Sequence, residues 1–262
     1  MKRLLLYKYL ALTGIIIALA LIIFDYSRET AVNFYTSLKG KTIAIDPGHG
    51  GIDGGASLNN KLHEKNINLH ISLKLQKLLE ESGAQVIMTR DSDISLEEKS
   101  DLASSRYRRD LDARRDIINR GNVDAFVSIH SNCFLRNPQA RGAIVFYHPG
   151  SVEGKKLATA IAKNIDDIVY GKLLGNSGIS TKILGEDLFI LRNTYVTGVL
   201  VEVGYISNWE EKTLLQKDDF QASMTEAIRS GLQEYFWNMD DNHSTFQHKK
   251  PVAKLIKLFL FR

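Results

Sequence analysis

Residues 42 to 57 read TIAIDPGHGGIDGGAS, a short β-branched run that passes directly into a loop with five glycines around a single imidazole, His49. The run has the composition of a buried strand, and open α/β sheets carry their ligands just beyond the carboxyl ends of such strands. Downstream of the loop, Ile67, Ile71, Leu75, Leu78 and Leu79 fall on one helical stripe that ends before Gly83. Further strand-like runs follow at residues 85–89, 125–129, 143–147 and 199–203, with helix-period stretches at 152–170 and 220–238. This alternation predicts an α/β fold, a single domain over residues 41–238 with a mixed, mostly parallel sheet and helices on both faces.

The composition fits a packed globular chain of 262 residues, 44% hydrophobic and 24% charged. Cys133 is the only cysteine, so no intramolecular disulfide can form. The net charge of +4 is unevenly placed. Residues 1–24 hold Lys2, Arg3 and Lys8, residues 243–262 hold Lys249, Lys250, Lys254, Lys257 and Arg262, and neither end has an acid, which leaves the body at −4. No basic face for nucleic acid is therefore expected on the globular part.

Tyr9 to Phe24 reads YLALTGIIIALALIIF without a charge, and with Leu4 to Leu6 it gives ~20 apolar residues, about enough to span a bilayer. Basic residues precede it and Asp25 and Glu29 follow, which places the rest of the chain outside the cytoplasm. A membrane anchor is favoured over a cleaved signal peptide, because Leu21, Ile22 and Ile23 continue the run past Ala18 and Ala20. Residues 25–40 read as a polar connector. Residues 239–262 form a basic tail in which Leu255, Ile256 and Phe259 keep helical spacing, as an interfacial or partner-binding helix does; a merely sticky terminus reads equally well.

The glycine-rich loop first suggests phosphate, but nothing matches G-x-x-x-x-G-K-[ST], and a G-x-G-x-x-G reading from Gly48 breaks at Asp53. A lone loop histidine is ordinarily a hydrogen-bonding residue; its neighbours decide here. Glu64 lies one turn before Ile67 on the apolar stripe, so its carboxylate points inward, whereas a solvated first-turn Glu would face out. AFVSIH at 125–130 places His130 at the end of another buried strand. Two imidazoles and a carboxylate on one rim make a ligand set of catalytic zinc sites. Glu202, inside the run VLVEVG, is costly to bury without a partner. That partner is either an arginine, Arg114 or Arg192, in a structural pair, or the water of a metal site, with Glu202 as its base.

DPGHGG around His49, EKNINL around Glu64, SIHSN around His130 and VEVGYISN around Glu202 resemble, in order, the motifs of the zinc-dependent N-acetylmuramoyl-L-alanine amidases of the type-3 amidase family. Leu111, Arg114 and Asn119 fall where that family has its L-x-x-R-x-x-x-x-N helix. The resemblance implies one zinc held by His49, Glu64 and His130, Glu202 as catalytic acid and base, and a peptidoglycan substrate cut between muramic acid and L-alanine. Asn132, Arg114 and Arg192 are the candidate substrate contacts. The short chain is most similar to the germination-type amidases that prepare muramic δ-lactam in spore cortex, which implies a spore-envelope location and allows a protein partner. Thr197 and Gly198 depart from the family's Pro-Ala, and Cys133 from its Ala, without removing a ligand. Other classes compatible with the residues are a zinc peptidase of the carboxypeptidase type and a catalytically silent wall-binding module. A glycosidase using Glu64 and Glu202 would leave both histidines unexplained.

Overall fold

The computed structural model describes residues 13–17, 19–25, 27–28, 32, 34, 36–58, 62–175 and 178–260, with side chains described as far as residue 240. Six strands form one sheet in the order β4 (Gln85–Met88), β1 (Thr42–Pro47), β5 (Ala125–Asn132), β8 (Gly198–Tyr205), β6 (Ile144–Tyr147) and β7 (Lys182–Gly185). β4, β1, β5 and β8 run parallel, β6 is antiparallel to β8, and β7 is parallel to β6. The sheet is mixed and mostly parallel, as expected. A two-residue hairpin, β2 (Ser57–Leu58) with β3 (Leu62–His63), stands apart beside the His49 loop.

Alternation along the strands divides the interior in two. Ile43, Ile45, Val127, Ile129, Val199, Val201 and Val203 face the larger core, with α1 (Glu64–Glu81), α3 (Val152–Ile165) and α6 (Asp218–Leu260). The intervening Ala44, Phe126 and Leu200 face a smaller core with Ile118 of α2 (Arg106–Arg120) and Ile190 and Leu191 of α4 (Phe189–Asn193). Strands covered on both faces need no polar positions, which is why they read as continuous apolar runs. Each fully buried aliphatic side chain contributes about 1.5–3 kcal/mol. Helix starts are chemically marked: Ser105 caps α2, Ser151 caps α3, and Asn208 caps α5 (Trp209–Leu214).

Residues 171–193 contain the edge strand β7 and the helix α4. The segment before β1 is not a free tether at its end: Leu38 is fully buried, Ser37 donates to the Gln233 carbonyl, and Gln233 donates to the Phe34 carbonyl. Residues 1–12 and 18 of the N-terminal segment lie outside the described residues. Residues 13–17 and 19–25 are helical, with Ile15 to Phe24 exposed where described, and no helix among the described residues is long and apolar enough to cross a membrane. Beyond Asp240 the side chains of the basic tail lie outside the described residues; its backbone continues α6 as far as Leu260.

Candidate metal centre

The four chemical positions meet at the carboxyl rim of the parallel strands. β1 delivers the His49 loop, β5 carries His130 two residues before its end, β8 carries Glu202 in register with His130, and α1 begins at Glu64. Glu64 is 5% exposed, and its Oε1 lies 3.2 Å from His49 Nε2 and 3.0 Å from His130 Nδ1. The two imidazoles meet edge to face with centroids 5.0 Å apart. Ligand atoms of His49, Glu64 and His130 all lie within 4.8 Å of one another.

Backbone and side-chain donors fix this carboxylate. Ser131 N–H and Asn68 Nδ2 donate to Oε1 at 3.1 and 3.2 Å, and Ala56 N–H donates to Oε2 at 2.9 Å. Burial raises the Glu64 pKa, but His130 and His49 outweigh it and hold the group well below the usual carboxylate range. Burial lowers the His49 pKa, and Glu64 with Asp53 outweighs that, taking it up to about 9. Asp53 Oδ2 lies 2.8 Å from His49 Nδ1, so it orients the ring and leaves Nε2 facing Glu64.

The loop is held in a conformation it would not keep alone. His49 has φ +61°, a left-handed backbone that costs an L-residue about 1–2 kcal/mol. Two buried arginines over-determine it. Arg114 donates to the Pro47 and His49 carbonyls at 2.7 and 2.6 Å, and Arg90 to the Pro47 and Gly48 carbonyls at 2.9 Å each. Glycine is required where the loop closes on His130 and Glu64: a Cβ on Gly48 would sit 2.2 Å from the His130 ring, and one on Gly55 2.6 Å from Glu64 Oε2.

Among the described residues Glu202 has no arginine partner. Arg114, 3% exposed, pairs with Asp46 at 2.8 Å and with Asp110, and Arg192 pairs with Asp187 at 2.6 Å on the surface. Glu202 Oε2 is buried with no hydrogen-bond partner, and burial, reinforced by Glu64, pushes the carboxyl up to about 7 against the lowering effect of His130 and His49. Such a group can take and return a proton near neutrality. Of the three candidate substrate contacts, Arg114 is a buried brace of the loop and the Arg192 side chain is at the surface beside Asp187. Asn132 lies on the rim, two residues past His130. Burial pushes the Cys133 thiol up, which suits a packing residue rather than a nucleophile.

Sequence reasoning passed over Asp53, Asn68 and Arg90. Asp53 was visible only as the break in a phosphate motif, although i+4 from a loop histidine was a usable signal. Asn68 follows Glu64 by one turn on the same buried stripe.

An α/β sheet with two histidines and a glutamate gathered at its carboxyl rim, beside a buried unpaired glutamate, has the donor set of a metal-dependent hydrolase. A family model for N-acetylmuramoyl-L-alanine amidases matches residues 43–234, and the chain belongs to that family: it is a peptidoglycan amidase. It is 35% identical, over 88% of its length and 94% of the relative's, to the germination-specific N-acetylmuramoyl-L-alanine amidase of Bacillus subtilis. It is 37% identical to the probable cell wall amidase LytH of Staphylococcus aureus over 76% of this chain and 60% of that one. Among solved structures, the CwlD amidase of Clostridioides difficile in complex with the GerS lipoprotein aligns at TM-score 0.67 and 37% identity, covering 75% of this chain and 98% of that one. The catalytic domain of CwlV from Bacillus (Paenibacillus) polymyxa aligns at TM-score 0.62 and 29% identity, covering 74% and 97%.

Proposed function

We propose that the chain hydrolyses the bond between N-acetylmuramic acid and L-alanine with one zinc ion held by His49, Glu64 and His130. The carrying observation is the donor cluster within 4.8 Å, beside Glu202 with its buried, unpartnered Oε2. The donor set of two imidazoles and a carboxylate suits zinc, which supplies Lewis acidity toward a carbonyl and activates water for attack. Glu202 takes a proton from the attacking water and returns it to the departing alanine nitrogen. Asp53 holds the His49 ring, and Asn68 with two backbone amides holds Glu64, so no reorganisation is needed as charge develops. Asn132 on the rim is proposed to touch substrate.

The catalytic unit spans residues 41–238, in keeping with the family match. We infer action in spore cortex, with muramic δ-lactam formation, from the likeness to the germination-specific enzyme. The same reading puts the unit outside the cytoplasm, tied to the membrane through residues 1–24, and includes a protein partner, as the Clostridioides difficile amidase has.

The test incubates the full chain with peptidoglycan and zinc and looks for new L-alanine amino termini. Stem peptides released intact, blocked by chelator and restored by zinc, are expected. Glu202→Gln should abolish turnover while keeping about one zinc per chain, whereas His49→Ala or His130→Ala should lose both. Turnover retained by Glu202→Gln would remove the proposed base.

A further inference from the structure

Beside His49 opens a cleft of about 350 Å³, within the range of small-molecule sites, that the metal chemistry does not use. His49 and Asp53 form one wall; Glu97, Arg106, Tyr107 and Asp110 form the other. Asp53 is taken up by His49 and the Gly55 amide, and Asp110 by the Leu96 amide and Arg114. Glu97 is taken up in part by Ser95, and Arg106 and Tyr107 are left.

Arg106 differs from its neighbours on α2. Arg108 stacks on Phe189 and pairs with Asp112, and Arg109 donates to the Glu97, Ala103 and Ser104 carbonyls. Among the described residues Arg106 has one ionic contact, Glu97 Oε1 at 3.9 Å, too long for a hydrogen bond, and its side chain is 46% exposed. Glu97 Oε2 is buried without a hydrogen-bond partner among the described residues, while the carboxylate accepts a hydrogen bond from Ser95. Tyr107 is 63% exposed. A charged donor and a charged acceptor thus stand apart, with an aromatic ring at the same mouth.

The charge of the walls selects among ligands. Three carboxylates, Asp53, Glu97 and Asp110, disfavour an anionic stem peptide. A neutral hydroxyl both donates and accepts, so it can bridge Arg106 and Glu97, and charge-assisted hydrogen bonds of that kind are strong. The tyrosine ring offers an apolar face to the C–H face of a pyranose.

We propose that Glu97, Arg106 and Tyr107 form a saccharide subsite that seats a neutral N-acetylated amino-sugar ring of the glycan on the sugar side of the scissile bond. The orientation rests on the amidase reading of the metal centre; the recognition of a sugar does not. Arg106 and Tyr107 are specificity residues under this assignment, and neither takes part in proton transfer.

The test titrates the full-length, zinc-loaded protein with di-N-acetylchitobiose and, separately, with the free stem peptide, by calorimetry or ligand-observed NMR. Wild type should bind the disaccharide, and Arg106→Gln and Tyr107→Ala should each weaken that binding roughly tenfold. Zinc content and stem-peptide binding should stay as in wild type. Both side chains are well exposed, so the substitutions leave the core intact. A wild type that ignores the disaccharide, variants that bind it equally well, or a loss confined to the peptide would each overturn the subsite. The disaccharide lacks the bond that is cut, so its binding is decided independently of whether the amidase mechanism holds.

Discussion

Asp53 and Glu64 give His49 a proton affinity that a metal must overcome. The His49 pKa is raised from its ordinary value to about 9, so the imidazole of the free site is charged at neutral pH, and an entering cation has to displace that proton. Zinc affinity should therefore climb up to about tenfold per pH unit between the ordinary histidine range and pH 9, and level off above it. Competition titrations against a chelating dye from pH 6.5 to 9.5 would show this; a flat profile would mean that His49 is neutral before the metal arrives. Gly198 makes a second prediction at this scale. A Cβ there would fall 1.9 Å from Phe126 Cε1, which accounts for the glycine: the neighbouring strand fills the space with a phenyl ring. Gly198→Ala should destabilise by about 1–3 kcal/mol, and Phe126→Leu in the same chain should recover part of the loss, as read by thermal unfolding. The sequence displayed the departure at 197–198 but not its compensation, because Phe126 lies on another strand.

Elements, rather than single groups, hold the loop after β1. Arg114 reaches it from α2 and Arg90 from the end of β4, and Asp46 anchors the far side through Arg114, Thr89 and Ser128. Arg114→Ala would leave the buried Asp46 without its counter-charge, a loss of about 3–5 kcal/mol. Urea unfolding should register it, together with weaker zinc retention. The strands and the α1 stripe were legible because burial on both faces forces unbroken apolar runs and one face forces the 3.6-residue period. The convergence of His49, Glu64 and His130 was legible because each sits at or near an element's end. Arg114's true partner was not, since Asp46 lies 68 positions away and a lone arginine does not announce which carboxylate it meets. The strand β7 escaped notice for another reason: an edge strand of four residues, exposed at Lys182, Leu184 and Gly185, has too little burial to impose a pattern.

Across the whole molecule, the larger core is closed by a segment that composition assigned to a connector. Leu38 completes it from before β1, and Phe34 meets Trp237 edge to face at 6.1 Å. A chain beginning at residue 33 should keep the melting temperature of one beginning at 25, whereas a start at residue 41 should cost about 2–5 kcal/mol, the scale of emptying a buried leucine site. Equal melting of all three would mean that the docked segment contributes nothing.

That docked segment also gives the molecule a direction. The chain enters at the amino edge of β1, and the six residues of the strand carry it about 20 Å to the rim where His49, His130 and Glu202 stand. Were the first 24 residues seated in a bilayer, the enzyme would stand on its back, its mouth turned outward to the wall it trims and its grip on the lipid at the opposite pole.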